Sequence, residues 1–257
     1  MYYSSWPHSL RRLVIWFVLA LTALSSTPSC FADNTAPLVI GETFTIDSKA
    51  VGETRRINVY PPPGYAETAD KRFPVLYMPD GGMAEDFLHV AGLVQVSVGN
   101  GTMRPFILVG IENTERRRDM TGPTENAKDK EIAPRIGGSD AFRKFVREEL
   151  MPEVKARYRT TDETAVVGES VAGLWVVETL LVEPELFDTY IAFDPSLWWN
   201  NERLLKIAPE QLGKVRKLEK TFHFAASSDM GNLAQRFAEI LRESAPPVLH
   251  WHFEPLP

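Results

Sequence analysis

Thiol chemistry has almost nothing to work with in this chain. Cys30 is the only cysteine among 257 residues, and cleavage after Ala32 would remove even that one. A disulfide framework, a cysteine nucleophile and a cysteine-based metal site are then excluded. Basic charge is also thin: the net charge is −6, and no sustained Lys/Arg stripe marks a nucleic-acid surface. The one basic cluster, Arg116-Arg117-Arg118, is flanked by Glu115 and Asp119 and reads as a solvated surface feature. There are no internal repeats, no low-complexity tracts and no linker that would split the chain. What remains, 44% apolar, 11% aromatic and 24% charged, is the composition of an ordinary globular domain.

The first 32 residues stand apart. Arg11 and Arg12 precede LVIWFVLALTALSS, an apolar run of about a dozen residues, short of the roughly 20 that a spanning helix needs. A polar stretch and CFA follow, with Cys30 and Ala32 at −3 and −1 of a cut before Asp33. A basic start, an apolar middle and small residues at the cut form a secretory signal pattern. A lipid anchor on Cys30 fits less well, because TPSC lacks the usual aliphatic residue. The expected organisation is a signal peptide over 1–32 and one domain over 33–257, periplasmic or secreted, with no membrane contact after cleavage. A domain of that size buries a large core without staples.

Strand and helix signals alternate through the rest. Strands are expected at 44–48, 55–65, 73–82, 105–113, 163–170, 190–196, 220–229 and 248–257, from β-rich apolar runs stopped by Pro or Gly. Helical spacing marks 83–101, 140–158, 171–184, 200–218 and 232–244. Residues 114–138, rich in Gly, Pro and charge, read as a long loop, a kind that is often functional. This alternation predicts an α/β fold with a mostly parallel sheet covered on both faces.

The chemistry gathers at VVGESVAGLW, residues 166–175. Gly168-Glu169-Ser170-Val171-Ala172 falls between a predicted strand and a predicted helix. A serine on such a turn adopts a strained backbone and needs small residues two positions to either side. The turn lifts the hydroxyl above the sheet edge and aims the first amides of the helix at the same point. A tight strand–helix junction with a buried serine is the plain alternative.

Together with VYPPPGY, VLYMPDGG, GIENTERRRDMTGP and IAFDPSLWWN, this segment resembles the esterase D-type branch of the α/β-hydrolases, which includes enterochelin esterase-like enzymes. The likeness runs from about Glu53 to Pro257. It implies an α/β-hydrolase sandwich that hydrolyses a small-molecule carboxylic ester through an acyl-enzyme, with no metal and no organic cofactor. Ser170 matches the nucleophile. Val171 would give one oxyanion amide, and the turn at Gly81-Gly82-Met83 the second, with Gly82 favoured. Asp229 matches the triad acid, and Asp194 is its rival. Arg118 and Asp119 would form an ion pair bracing the nearby loop, while Trp198 and Trp199 either line the pocket or pack a helix on the sheet.

The general base is harder to place. The fold's order is serine, acid, histidine. His8 lies in the signal segment and His89 precedes the serine. His223, between Phe222 and Phe224, reads as a packed core residue. His250 and His252 share one strand face, which leaves His252 as a fallback. The resemblance puts the base in a loop after the last strand, followed by a final helix, so the domain is expected to be incomplete there and, without that base, inactive. A non-catalytic ligand-binding relative and an acyltransferase on the same fold stand as alternatives.

Overall fold

The computed structural model describes residues 35–228 and 231–257. The expected signal segment with Cys30, and the expected acid Asp229, lie outside them. Two units separate, Met1–Val39 and Ile40–Pro257. The described part of the first, 35–39, has no regular secondary structure; everything below concerns the second.

Eight strands form one sheet: β1 Glu42–Ser48, β2 Glu53–Tyr60, β3 Phe73–Pro79, β4 Ile107–Ile111, β5 Thr160–Glu169, β6 Thr189–Phe193, β7 Lys220–Ala226 and β8 Leu249–Pro255. Their order is β1-β2-β4-β3-β5-β6-β7-β8. β2 runs antiparallel to β1 and β4, and every other pairing is parallel. The expected mixed α/β architecture with a mostly parallel sheet is therefore present. The carboxyl ends of β3 to β8 share one edge, where ligands of such sheets bind.

The helices are α1 Phe87–Gly99, α2 Arg116–Met120, α3 Ala127–Ile132, α4 Ser139–Phe145, α5 Met151–Arg157, α6 Val171–Val182, α7 Trp199–Gln211 and α8 Leu233–Ser244. The segment expected as a continuous loop, 114–138, carries two of them. Each is only five or six residues long, too short for a periodic signal. The helix expected over 140–158 is continuous in course but contains a π turn, Val146–Leu150, between α4 and α5.

One face of the sheet is thickly covered. Val166, Tyr190, Phe222 and Phe224 join Phe142, Phe145, Trp175, Leu180 and Phe237 in the main core. Helix α6 is buried nearly all round, as expected of an apolar helix between sheet and outer helices. On the other face α1 covers Leu76, Met78, Leu108 and Ala165 in a smaller core. That face is open over β6 to β8: among the described residues no helix lies on it. Coverage of both faces, expected from the alternation, thus holds for one face and fails for half of the other. His223 is corrected for the same reason. It is exposed rather than packed, because it stands level with Ile191 and His252 on that open face.

Candidate active site

Three neighbouring strands end alike. Asp80 follows β3, Ser170 follows β5 and Asp194 follows β6, and each is a non-glycine residue with positive φ, at 59°, 58° and 42°. Such backbones cost of order 1–3 kcal/mol each, and they cluster where function constrains the chain. Three at one edge locate the candidate site.

The Ser170 turn has the geometry its sequence promised. Ser170 sits at φ 58° and ψ −115° and N-caps α6. Its N–H donates to Phe193 O at 2.9 Å, and its C=O accepts from Leu174 N at 2.9 Å and Ser196 N at 3.0 Å. Small residues are obligatory around it. A Cβ on Gly168 would stand 2.6 Å from the Ala172 carbonyl carbon, and one on Gly173 would stand 2.9 Å from Phe193 O. The Val171 N–H opens α6, where helix amides have no intrahelical partner.

The loop after β3 departs from expectation in one detail. The Gly82 N–H donates to Glu85 Oε2 at 2.6 Å, and Asn113 N–H donates to Glu85 Oε1 at 3.2 Å. The Gly82 amide is therefore taken up by a carboxylate of its own loop. Gly81 lies against the backbone of Gly110 and Ile111, with no room for a Cβ.

Of the two candidate acids only Asp194 is described, and it pairs with no described histidine. Asp229 lies outside the described residues. Asp194 Oδ1 accepts from Ser227 N at 2.6 Å and Ser227 Oγ at 3.0 Å, tying the end of β6 to the end of β7. Among the described residues Ser170 Oγ meets one polar side-chain partner, Ser196 Oγ, at 3.5 Å. His252 is exposed and faces Glu254 Oε2 at 3.2 Å. His89 lines a cavity of about 470 Å³ beside α1, with Asp80, Asp86, Glu169, Leu93 and Phe193. Burial pushes the Glu169 carboxyl up; Arg116 opposes this, while Asp86, Asp194 and Asp80 reinforce it.

Sequence reading missed the residues that hold these turns together. Arg116 grips Asp80 with two bonds of 2.7 Å and reaches Glu169 O at 3.3 Å, linking the ends of β3 and β5. Such bidentate pairing is geometrically specific. The only sequence signal was membership of the arginine run. Behind it, the anticipated Arg118–Asp119 pair forms at 2.6 Å within a larger cluster. Arg55, fully buried, bonds Glu53, Thr114 and Asp119 at 2.6–2.7 Å. The Arg118 guanidinium holds the Glu53 carboxyl down to about 2. The tryptophans divide their duties. Trp199 is buried and donates to Gly122 O at 3.3 Å, while Trp198 is 38% exposed and free to meet a ligand. Among the described residues no group of three His, Cys, Asp or Glu side chains is placed to hold a metal ion.

The Esterase family, described as "Putative esterase", matches residues 48–243. The chain belongs to this family. Among characterised relatives, ferri-bacillibactin esterase BesA of Bacillus subtilis (strain 168) is 28% identical over 205 residues, 72% of this chain and 65% of that protein. The siderophore triacetylfusarinine C esterase of Aspergillus fumigatus is 38% identical over 91 residues, 34% of this chain and 29% of its own length. The chain thus matches less than two thirds of the length of either relative. An IroE-like serine hydrolase from Shewanella oneidensis superposes with a TM-score of 0.75 at 29% identity, over 84% of this chain and 73% of that structure. These likenesses fit the esterase branch suggested by the motifs and the α/β-hydrolase type of sheet.

Proposed function

We propose that this member of the Esterase family is a serine hydrolase of small-molecule carboxylic esters, with Ser170 as nucleophile. The observation that carries the reading is the Ser170 backbone, strained at the carboxyl edge and locked between Phe193 O and the first turn of α6. Siderophore-type esters are the proposed substrate class, because BesA and the Aspergillus enzyme are named for them. Attack by Ser170 Oγ on the ester carbonyl gives an acyl-enzyme, which water then resolves. Val171 N–H, at the positive end of α6, stabilises the oxyanion. Gly82 N–H joins it once Glu85 gives that amide up. A general base takes the Ser170 proton; no described histidine is hydrogen-bonded to Ser170 Oγ. β8 ends at the same edge as Ser170, where Leu256 N–H bonds Ala226 O at 2.8 Å. Asp229, or failing it Asp194, is the acid that orients the base. The protein is proposed to act after export, with a mature terminus at Asp33.

A second reading has one observation in its favour: no described histidine reaches Ser170 Oγ. On that reading the protein binds esters without turning them over. A fluorophosphonate probe separates the two. Covalent capture located at Ser170 by peptide mass, and absent in Ser170→Ala, supports the hydrolase. No capture, or capture unchanged in Ser170→Ala, overturns it. N-terminal sequencing of the exported protein checks the terminus.

A further inference from the structure

We propose that Ser196 is a second catalytic hydroxyl, one that donates a hydrogen bond to Ser170 Oγ as negative charge passes through that atom. The proposal rests on the reading of Ser170 as nucleophile. Ser196 is only 4% exposed. A buried hydroxyl is expected to have a partner, and the one that the described residues offer Ser196 Oγ is the Ser170 hydroxyl. At 3.5 Å the contact is longer than a formed O–H···O bond of roughly 2.5–3.0 Å. It is therefore slack while both groups are neutral, and it shortens when Oγ carries charge, since O–H···O⁻ bonds are shorter and stronger.

The backbone fixes Ser196 at this spot. Its N–H donates to Ser170 O at 3.0 Å, and its C=O accepts from Trp199 N at 3.1 Å. The segment before it presses on α6: Pro195 Cα would stand 3.1 Å from a Cβ on Gly173. Ser196 thus moves with the Ser170 turn. This constraint costs nothing at the moment of reaction, which is what makes a preorganised donor effective.

The chemistry uses the bond twice. In acylation a general base, an imidazole or solvent hydroxide, takes the Ser170 proton as Oγ bonds to the ester carbon. The carbonyl pair moves onto the carbonyl oxygen. Its return breaks the alcohol C–O bond, and the leaving alcohol recovers the proton. In deacylation water attacks, its proton passes to the base, and the Oγ–C bond breaks with Oγ taking that proton back. Oγ bears partial negative charge in the first half of one step and the last half of the other. A hydroxyl aimed at it lowers both barriers and lowers the pH at which Ser170 becomes nucleophilic.

The test is the second-order rate of fluorophosphonate capture from pH 6 to 10, with Oγ–P bond formation and fluoride loss replacing the acyl step. It compares the wild type with Ser196→Ala, Ser196→Thr and Ser170→Ala, and the melting temperature of each is read alongside. Ser196→Ala is expected to slow capture about tenfold, the loss of one hydrogen bond of about 1.4 kcal/mol, and to move the rising limb of the profile to higher pH. Ser196→Thr, which keeps the hydroxyl, is expected to recover most of the rate. Capture by Ser196→Ala at the wild-type rate with an unmoved profile overturns the proposal while leaving Ser170 as nucleophile. A slowed Ser196→Ala that Ser196→Thr does not rescue, with a lowered melting temperature, makes Ser196 a packing residue and also overturns it. Absence of wild-type capture is a separate result: it removes the nucleophile reading, and the role of Ser196 with it.

Discussion

Gly168 shows how tightly the Ser170 turn constrains its neighbours. An added methyl would overlap the Ala172 carbonyl carbon at 2.6 Å and its Cβ at 2.9 Å, and the first of these is backbone at the start of α6. The turn or the helix must shift. Gly168→Ala is expected to cost about 1–3 kcal/mol, the range for overpacking, and to slow fluorophosphonate capture at least tenfold. Urea unfolding and capture kinetics read the two effects separately. Arg55 is the opposite case, a residue chosen for charge rather than size. Its guanidinium is fully buried, 2.6 Å from Asp119 and 5.3 Å from the Phe142 ring centre. Removing one partner of a buried pair leaves the other uncompensated, at about 3–5 kcal/mol. Asp119→Ala is expected to lower stability by that amount in urea unfolding, and to weaken the hold of Arg116 on Asp80.

At the scale of elements, the region between β4 and α4 is built as a clamp. Asp129, buried on α3, accepts from Thr124 Oγ1 at 2.7 Å and from Asn200 N at 2.8 Å. Asn200, Asn201 and Glu202 all have left-handed backbones, and such residues cost roughly 1–2 kcal/mol apiece. The Asp129 carboxylate is one of the contacts that hold the turn against that cost, and the turn sets the approach to Trp198. Asp129→Ala is expected to destabilise the fold by about 2 kcal/mol, chiefly through the orphaned Asn200 amide, and to increase hydrogen exchange over 122–133 and 196–203. The Glu53 cluster bracing α2 answers to pH. Its carboxyl falls from 4.5 to about 2 in the folded protein, chiefly through Arg118. A lowered acid pKa gives stability that is complete above 4.5 and is lost as pH falls toward 2. Stability measured between pH 5 and 2 should therefore fall less steeply in Glu53→Gln than in the wild type.

At the scale of the molecule, the open face over β6 to β8 carries an apolar patch at its active-site end. Phe193 is 43% exposed there, and Leu93 on α1 is 55% exposed across the adjacent cavity. On β7 and β8 the same face is polar, with His223, His250, His252 and Glu254 exposed. An apolar area of this kind is expected to bind an environment-sensitive dye. Phe193→Glu should lower dye fluorescence by about half or more with little change in melting temperature. An unchanged signal would place dye binding elsewhere.

The strand and helix periods, the Gly-x-Ser-x-Ala turn and the surrounding motifs were legible in the sequence, because each is a local consequence of residue size and spacing. Gly168 and Ala172 are small since the turn between them leaves no room, and that constraint is written within five residues. The Arg118–Asp119 pair was expected from the family resemblance rather than from spacing. Other features join residues far apart in the chain. Arg116 meets Asp80, Glu85 occupies the Gly82 amide, Asp129 holds Asn200, and Ser196 faces Ser170. Only Glu85 and Gly82 are close in sequence, and even there the direction of the amide depends on the fold. The exposure of His223 likewise follows from what covers its strand face, which no alternation along one strand encodes. Local sterics set the elements and the Ser170 turn; the packing of distant strand ends against one another decided which side chains meet at the site.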